Sequence, residues 1–210
     1  MSRQVSIIDY GMSNLLSICR AFEHIGAVVK VVNQVDDITK SDYLVLPGVG
    51  AFPDGMNELN KRGLTEGIRE FAAKGKPLLG VCLGMQMLLG TGHEHRLTDG
   101  LGLIPGEVLP LPKDIPGFKV PNINWHSVEE PEPGRWERSV FHGLEHDRYF
   151  YFVHSYYAKP ADESHVLATT AFSNLTFASA VQYNNIAGTQ FHPEKSGLAG
   201  LKLLRQFLEL

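Results

Sequence analysis

Along the first ninety residues or so, short apolar runs alternate with stretches whose apolar positions recur every three or four residues. Gln4 to Asp9 is a β-rich run. The turn Tyr10-Gly11-Met12-Ser13-Asn14 leads into an amphipathic helix to about Ile25, with Ser13 placed to cap it. Ala27 to Val32 and Tyr43 to Pro47 read as strands, and the second breaks into Gly48-Val49-Gly50-Ala51-Phe52. An irregular helical region covers about Met56 to Ala73. Pro77 to Val81 is then a buried strand that turns at Cys82 into the helix-forming run Met85 to Leu89. Apolar strands with intervening helices predict an α/β fold built on a mainly parallel, mixed sheet with helices on both faces. Ligands bind beyond the C-terminal ends of such strands, where both Gly48-Val49-Gly50 and Cys82 lie.

From about Leu103 the pattern changes to shorter β-like pieces. They are joined by loops rich in proline and charge, Leu111 to Gly117 and Glu129 to Gly134, which read as surface excursions. Tyr149 to Ala158, Val166 to Ala171, Phe177 to Tyr183 and Ile186 to Phe191 have strand character. The chain closes on a helix with Leu201, Leu204 and Leu208 on one apolar face.

A length of 210 residues with 43% hydrophobic content fits one domain spanning 1–210. The net charge of −4 and scattered basic residues give no footprint for nucleic acid or for a membrane surface. Without an apolar leader or a run of about 18 apolar residues, a cytoplasmic location is expected. Two cysteines 63 positions apart, without CxxC spacing, argue against a disulfide framework or zinc. Cys19 shares a helical face with Leu15, Ile18 and Phe22, which leaves Cys82 as the reactive candidate.

The sequence Gly80-Val81-Cys82-Leu83-Gly84 has the form of a nucleophile elbow, a sharp strand-to-helix turn that needs small neighbours and sets the sulfur at a helix N-terminus. His192 follows an apolar strand, Pro193 stops ladder pairing, and Glu194 stands two residues on, where it can hold the imidazole in one tautomer. Nucleophile, base and orienter are thereby available, although Cys82 and His192 are 110 residues apart and only folding can join them. Glycines in Pro47-Gly48-Val49-Gly50 let backbone amides face a site, and the amide after Cys82 supplies a second oxyanion donor. Gly100-Leu101-Gly102 fails the dinucleotide fingerprint, and His93-Glu94-His95 lacks zincin spacing, so neither a cofactor nor a metal is expected.

Gly80-Val81-Cys82-Leu83-Gly84-Met85-Gln86 together with Gln190-Phe191-His192-Pro193-Glu194-Lys195-Ser196 resembles the class I, or triad, glutamine amidotransferases, in order along nearly the whole chain. Ile8 to Leu15, Pro47 to Phe52 and Tyr151 to Tyr156 bring the likeness closer to their stand-alone glutaminase subunits. The resemblance implies a flavodoxin-like fold and glutamine as substrate. It gives Cys82 as nucleophile, His192 as acid and base, Glu194 as its orienter, and backbone amides of Val49 or Gly50 and of Leu83 as the oxyanion hole. By the same resemblance Gln86 and Glu94 bind the polar groups of glutamine, with backbone contacts near Ser155 and Tyr156. The peptide in the Pro-Gly-Val-Gly strand is expected to turn over before the hole is complete.

Free ammonia is protonated in neutral water, so its acceptor must be near, and a chain filled by one domain implies a second protein. The resemblance makes it a (β/α)8-barrel cyclase faced by Asn14, Trp125 and Lys195. Two stretches of that face depart from the family pattern. Asn122-Ile123-Asn124-Trp125-His126 stands for the usual His-Met-Gly-Trp-Asn, and Ser13 and Leu16 stand for glycine and arginine. An acceptor other than that cyclase therefore remains as an alternative, as do a redox-sensing Cys82 on the same fold and a Cys-His hydrolase of other amides.

Overall fold

A computed structural model describes residues 3–113, 119–146 and 148–210. Residues 114–118 of the first proline-rich excursion lie outside the described residues. The first half runs β1 (Gln4–Ile8), α1 (Leu15–His24), β2 (Val28–Val32), α2 (Val35–Lys40), β3 (Tyr43–Leu46), α3 (Phe52–Lys61), α4 (Leu64–Ala73), β4 (Leu78–Val81) and α5 (Leu83–Met87). The second half runs β5 (Leu89–Gly92), β6 (Thr98–Asp99), β7 (Ile104–Pro110), β8 (Asn122–Ser127), β9 (Tyr149–His154), β10 (Tyr156–Pro160), β11 (Val166–Phe172), β12 (Leu175–Tyr183), β13 (Ile186–Thr189) and α6 (Gly197–Phe207).

Eleven strands form one mixed sheet in the order β2-β1-β3-β4-β13-β12-β10-β7-β5-β6, with β11 paired to β12. The half that carries the site, β2-β1-β3-β4-β13, is parallel throughout. Its inner strands β1, β3, β4 and β13 are buried at nearly every position because helices cover both faces, whereas the edge strand β2 leaves Val28 and Val31 half exposed. In β1, Val5 and Ile7 join one core while Ile8 joins the other; in β3, Val45 faces the first and Leu44 and Leu46 the second. The first core is closed by α1 and α6, where Phe22 and Tyr43 each meet Phe207 edge to face. A fully buried aromatic ring of this kind contributes roughly 2–3 kcal/mol.

Several expectations are refined. The helical region before the elbow is two helices, α3 and α4, split by Gly63 at φ +68°. The six-residue α2 was not legible, since Val35 and Ile38 are its only apolar residues. Ser13 does not cap α1: Asn14 occupies the cap position without a side-chain bond, and Ser13 Oγ is buried with no partner. The helix after Cys82 ends at Met87, and Leu89 begins a strand. The apolar face of α6 includes Leu203 and Phe207 as well as Leu204, while Leu201 is only half-buried.

The run Tyr149 to Ala158 is two strands. It breaks at Ser155, so that β9 pairs with β8 in a separate ribbon while β10 joins the main sheet. Behind β9, Phe150 stacks on Phe191 with centroids 4.1 Å apart, and Trp136 stacks on Phe141 at 4.8 Å. Residues beyond the second proline-rich loop thus fill core space rather than only crossing the surface. Among the described residues no helix is long and apolar enough to cross a membrane.

Candidate active site

The turn between β4 and α5 fixes the first site residue. Cys82 sits at φ 54°, ψ −111°, a conformation that L-residues occupy at a cost of about 1–3 kcal/mol. Its N–H donates to the Thr189 carbonyl at 2.7 Å, tying the elbow to β13. Close packing explains the flanking glycines. A Cβ on Gly84 would stand 1.8 Å from the Leu46 carbonyl oxygen, and one on Gly80 would stand 2.8 Å from the backbone of Met85. No side chain fits at Gly84 unless α5 leaves the sheet.

Cys82 is 7% exposed and opens into a cavity of about 270 Å³ lined by Val49, Gly50, Leu83, Gln86, Glu94, Ser155, Tyr156 and His192, among others. Folding therefore gathers the two candidate ends of the chain in one pocket. His192 Nδ1 lies 2.8 Å from Glu194 Oε1, with both side chains almost fully buried. Its ring nitrogen Nε2 is also buried and makes no hydrogen bond. Burial alone would lower the His192 pKa. Interaction with Cys82 and then with Glu194 outweighs this and raises it above the ordinary histidine value, favouring an imidazolium. In this geometry the Cys82 sulfur makes no hydrogen bond to the ring. Its close polar neighbours are the Val153 carbonyl and Gln190 Nε2, both at a long 3.9 Å.

The backbone donors are only partly in place. Leu83 opens α5, where an amide has no helical partner. Val49 N–H instead donates to the Met12 carbonyl at 2.9 Å, so this expected oxyanion donor is turned away from the pocket. Gly50 follows at φ +110°, a value open to glycine and few others.

The floor of the pocket is a polar chain. Gln86 Nε2 donates to the Tyr156 carbonyl and to Gln190 Oε1, each at 3.0 Å. His154 Nδ1–H donates to the same carbonyl at 2.8 Å, its Nε2 accepts from Asn122 at 3.0 Å, and Asn122 Oδ1 accepts from His126 at 2.8 Å. Glu94 Oε2 accepts the Phe52 N–H at 2.7 Å, so the carboxylate is steered by the start of α3. Ser155 sits at the strand break, its carbonyl taking the Leu111 N–H at 2.9 Å. Gln190, Val153 and His154 were not singled out in the sequence. For Gln190 the available clue was a polar residue at the end of an apolar strand and at the head of the motif that carries His192; the structure buries it fully.

His154 is buried, which lowers its pKa to about 4; its bond to the Tyr156 carbonyl opposes this, while His126 and His192 add to it. The native state keeps this ring neutral, whereas the unfolded chain protonates it near 6.5. The stabilisation it gives is complete above 6.5 and is lost as pH falls toward 4. Between pH 7 and pH 5 we expect the residue alone to remove about 2 kcal/mol of stability. Urea melts at both pH values check this: His154→Asn should be less stable at pH 7 but distinctly less pH-dependent, and an equally steep variant would contradict it.

Away from the pocket, Trp125 is 48% exposed with its ring 6.0 Å from that of Tyr151, and Lys195 Nζ lies 6.0 Å above the same tyrosine. Two of the expected partner-facing residues thus meet on one ring. Asn14 is exposed at the start of α1, and Leu16 beside it is 61% exposed. His93 does not gather with a metal-ligand set: it pairs with Glu107 at 2.9 Å on the surface, and among the described residues no three His, Cys, Asp or Glu side chains could hold a metal ion.

Residues 6–210 match the family described as Glutamine amidotransferase class-I. The chain is 47% identical over 208 residues to the imidazole glycerol phosphate synthase subunit HisH of Moorella thermoacetica, covering 99% of this chain and 95% of that protein. It is 43% identical to the protein of the same name from Listeria monocytogenes, covering 98% and 95%. Among solved structures, PurLQS from Thermotoga maritima superposes with a TM-score of 0.76 over 100% of this chain and 99% of that one, at 18% identity, a likeness of fold alone. A family match over nearly every residue, on a parallel sheet with a cysteine elbow facing a buried His-Glu pair, fixes the relationship: the chain belongs to the class I glutamine amidotransferases.

Proposed function

We propose that this chain is the glutaminase subunit of imidazole glycerol phosphate synthase, a single cytoplasmic domain that hydrolyses glutamine and passes the ammonia to a (β/α)8-barrel cyclase in histidine biosynthesis. End-to-end likeness at 47% identity to a protein of that name is the observation that carries the assignment. The pocket supports the reaction. Cys82, as thiolate, attacks the side-chain carboxamide carbon of glutamine, and the carbonyl oxygen becomes an oxyanion held by the Leu83 amide and by Val49 or Gly50. The His192 imidazolium gives its proton to the departing amine, and ammonia leaves a glutamyl thioester. His192, now neutral, takes a proton from water; the hydroxide adds to the thioester, and glutamate leaves as the thiolate returns. Glu194 holds Nδ1–H throughout.

Gln86 and Glu94, with the backbone at Ser155 and Tyr156, bind the polar end of the substrate. Asn14, Trp125 and Lys195 face the cyclase. With Val49 N–H bound to Met12, the resting chain holds half an oxyanion hole, which fits a glutaminase that its partner switches on.

A second reading, a paralogue serving another acceptor, draws on the odd residues of the partner face. One of them loses its force in the structure. Histidine and asparagine have exchanged places between 122 and 126, and in this chain the two side chains hydrogen-bond each other at 2.8 Å. The exchange is compensated within the ribbon. Leu16, an exposed leucine where the family has arginine, keeps the alternative open. Glutamate production by the purified chain, alone and with the cyclase of the same organism plus its nucleotide ligand, tests the proposal. Strong stimulation is the expected result; no stimulation, with glutamine still hydrolysed, would point to another acceptor.

A further inference from the structure

One buried polar atom beside the elbow has no part in the chemistry above. The Tyr10 side chain is fully buried at the end of β1, and its hydroxyl makes no hydrogen bond. An orphaned buried hydroxyl has given up its bonds to water and gained none, which is destabilising, so its position calls for a reason. Burial, and then the charge of Cys82, raise its pKa well above the ordinary tyrosine value, so the group is a neutral O–H donor. It points at Gly48: a Cβ there would lie 2.5 Å from Tyr10 Oη, 2.9 Å from Leu83 Cβ and 3.0 Å from the Gly84 nitrogen. The hydroxyl therefore faces the strand end that has to complete the oxyanion hole.

The next peptide explains what it is for. Val49 N–H is bound to the Met12 carbonyl and cannot reach an oxyanion at Cys82 as it stands. To reach it, the peptide joining Gly48 to Val49 must rotate, and rotation swings the Gly48 carbonyl toward the side that the N–H leaves. There it would confront the Met12 carbonyl, oxygen against oxygen, unless a donor receives it. We propose that the Tyr10 hydroxyl is that donor: it takes the Gly48 carbonyl when the Gly48–Val49 peptide turns its amide to Cys82, which makes Tyr10 a positioning residue of the oxyanion hole. The bond exists only in the turned state, so the hydroxyl is unpaired at rest and paired when oxyanion charge develops. Binding energy realised only there raises kcat and leaves KM alone.

This inference rests on the glutaminase reading, and Tyr10→Phe tests it. Three measurements separate the outcomes: thermal stability of the chain alone, where the peptide rests against Met12, and, with the chain saturated with its cyclase and nucleotide ligand, kcat and KM for glutamine and the rate at which iodoacetamide alkylates Cys82. Alkylation is displacement at a saturated carbon and forms no oxyanion. The expected result is unchanged or slightly raised stability, kcat about tenfold lower with KM within twofold of wild type, and an unchanged alkylation rate. A kcat equal to that of wild type would overturn the proposal. Equal losses in hydrolysis and alkylation would overturn it too, since Tyr10 would then act on the thiolate. A destabilised variant would mean that the hydroxyl is already bonded at rest, again the opposite of what is proposed. Should wild type itself release no glutamate with its partner, the glutaminase reading fails by that control, and the stability measurement still judges whether the hydroxyl is unpaired.

Discussion

Cys82→Ala, assayed in the stimulated complex, is expected to release no glutamate above background, a loss of at least about 10⁴-fold in kcat. No other thiol can substitute, because Cys19 is packed against the first core on α1, away from the pocket. Water would have to attack the carboxamide directly, with ammonia as a poor leaving group and no covalent intermediate to divide the barrier. The fold should survive. Cys82 makes only long sulfur contacts, at 3.9 Å, and alanine adopts the same strained backbone at the same cost. Partner binding, followed by titration calorimetry, should therefore match wild type, since Trp125 and Lys195, the residues proposed to face the partner, do not line the cavity at Cys82. Turnover by the alanine protein would remove Cys82 from the chemistry altogether.

Glu194→Gln is expected to lower kcat by about 10² to 10⁴-fold while KM for glutamine stays within a few fold. The carboxylate fixes the imidazole with Nδ1 protonated, leaving Nε2 for the reacting atoms, and a carboxamide is free to present its NH₂ and impose the opposite tautomer. Glu194 does not line the cavity at Cys82, so binding there has no reason to change. A second signature follows from electrostatics. Glu194 is one of the two groups that raise the His192 pKa, so without its charge the imidazolium deprotonates at lower pH. The alkaline limb of the kcat profile should accordingly move toward acid. An isosteric variant with wild-type kcat and an unmoved alkaline limb would show that Glu194 is structural only.

Local chemistry was the most legible part of the sequence. The elbow is written in consecutive residues, because a turn this tight requires glycine at 80 and 84, and the His-Pro-Glu order places the orienter two residues from the base. The parallel half of the sheet was equally readable, since strands covered on both faces are apolar without alternation. What escaped depends on partners remote in sequence. The break at Ser155 cannot be seen in Tyr149 to Ala158, where strand-forming residues run on without a glycine or proline. It is set by what each half pairs with, β8 on one side and β7 and β12 on the other. Gln190 meets Gln86 across 104 positions, and the His126-Asn122-His154 chain forms only when the ribbon closes. The state of the Val49 amide is a matter of one peptide's rotation between glycines, on which side-chain identity is silent.

The backbone at Cys82 has a genetic corollary. At φ 54° and ψ −111°, glycine would relieve a strain that cysteine must bear, and either cysteine codon becomes a glycine codon by one nucleotide change. A lineage that ceased to need the thiol would thus gain stability by losing it, and the mutation would be both accessible and favoured. The backbone at 82 thus works against the thiol that it presents, and nothing in the turn itself favours cysteine over glycine.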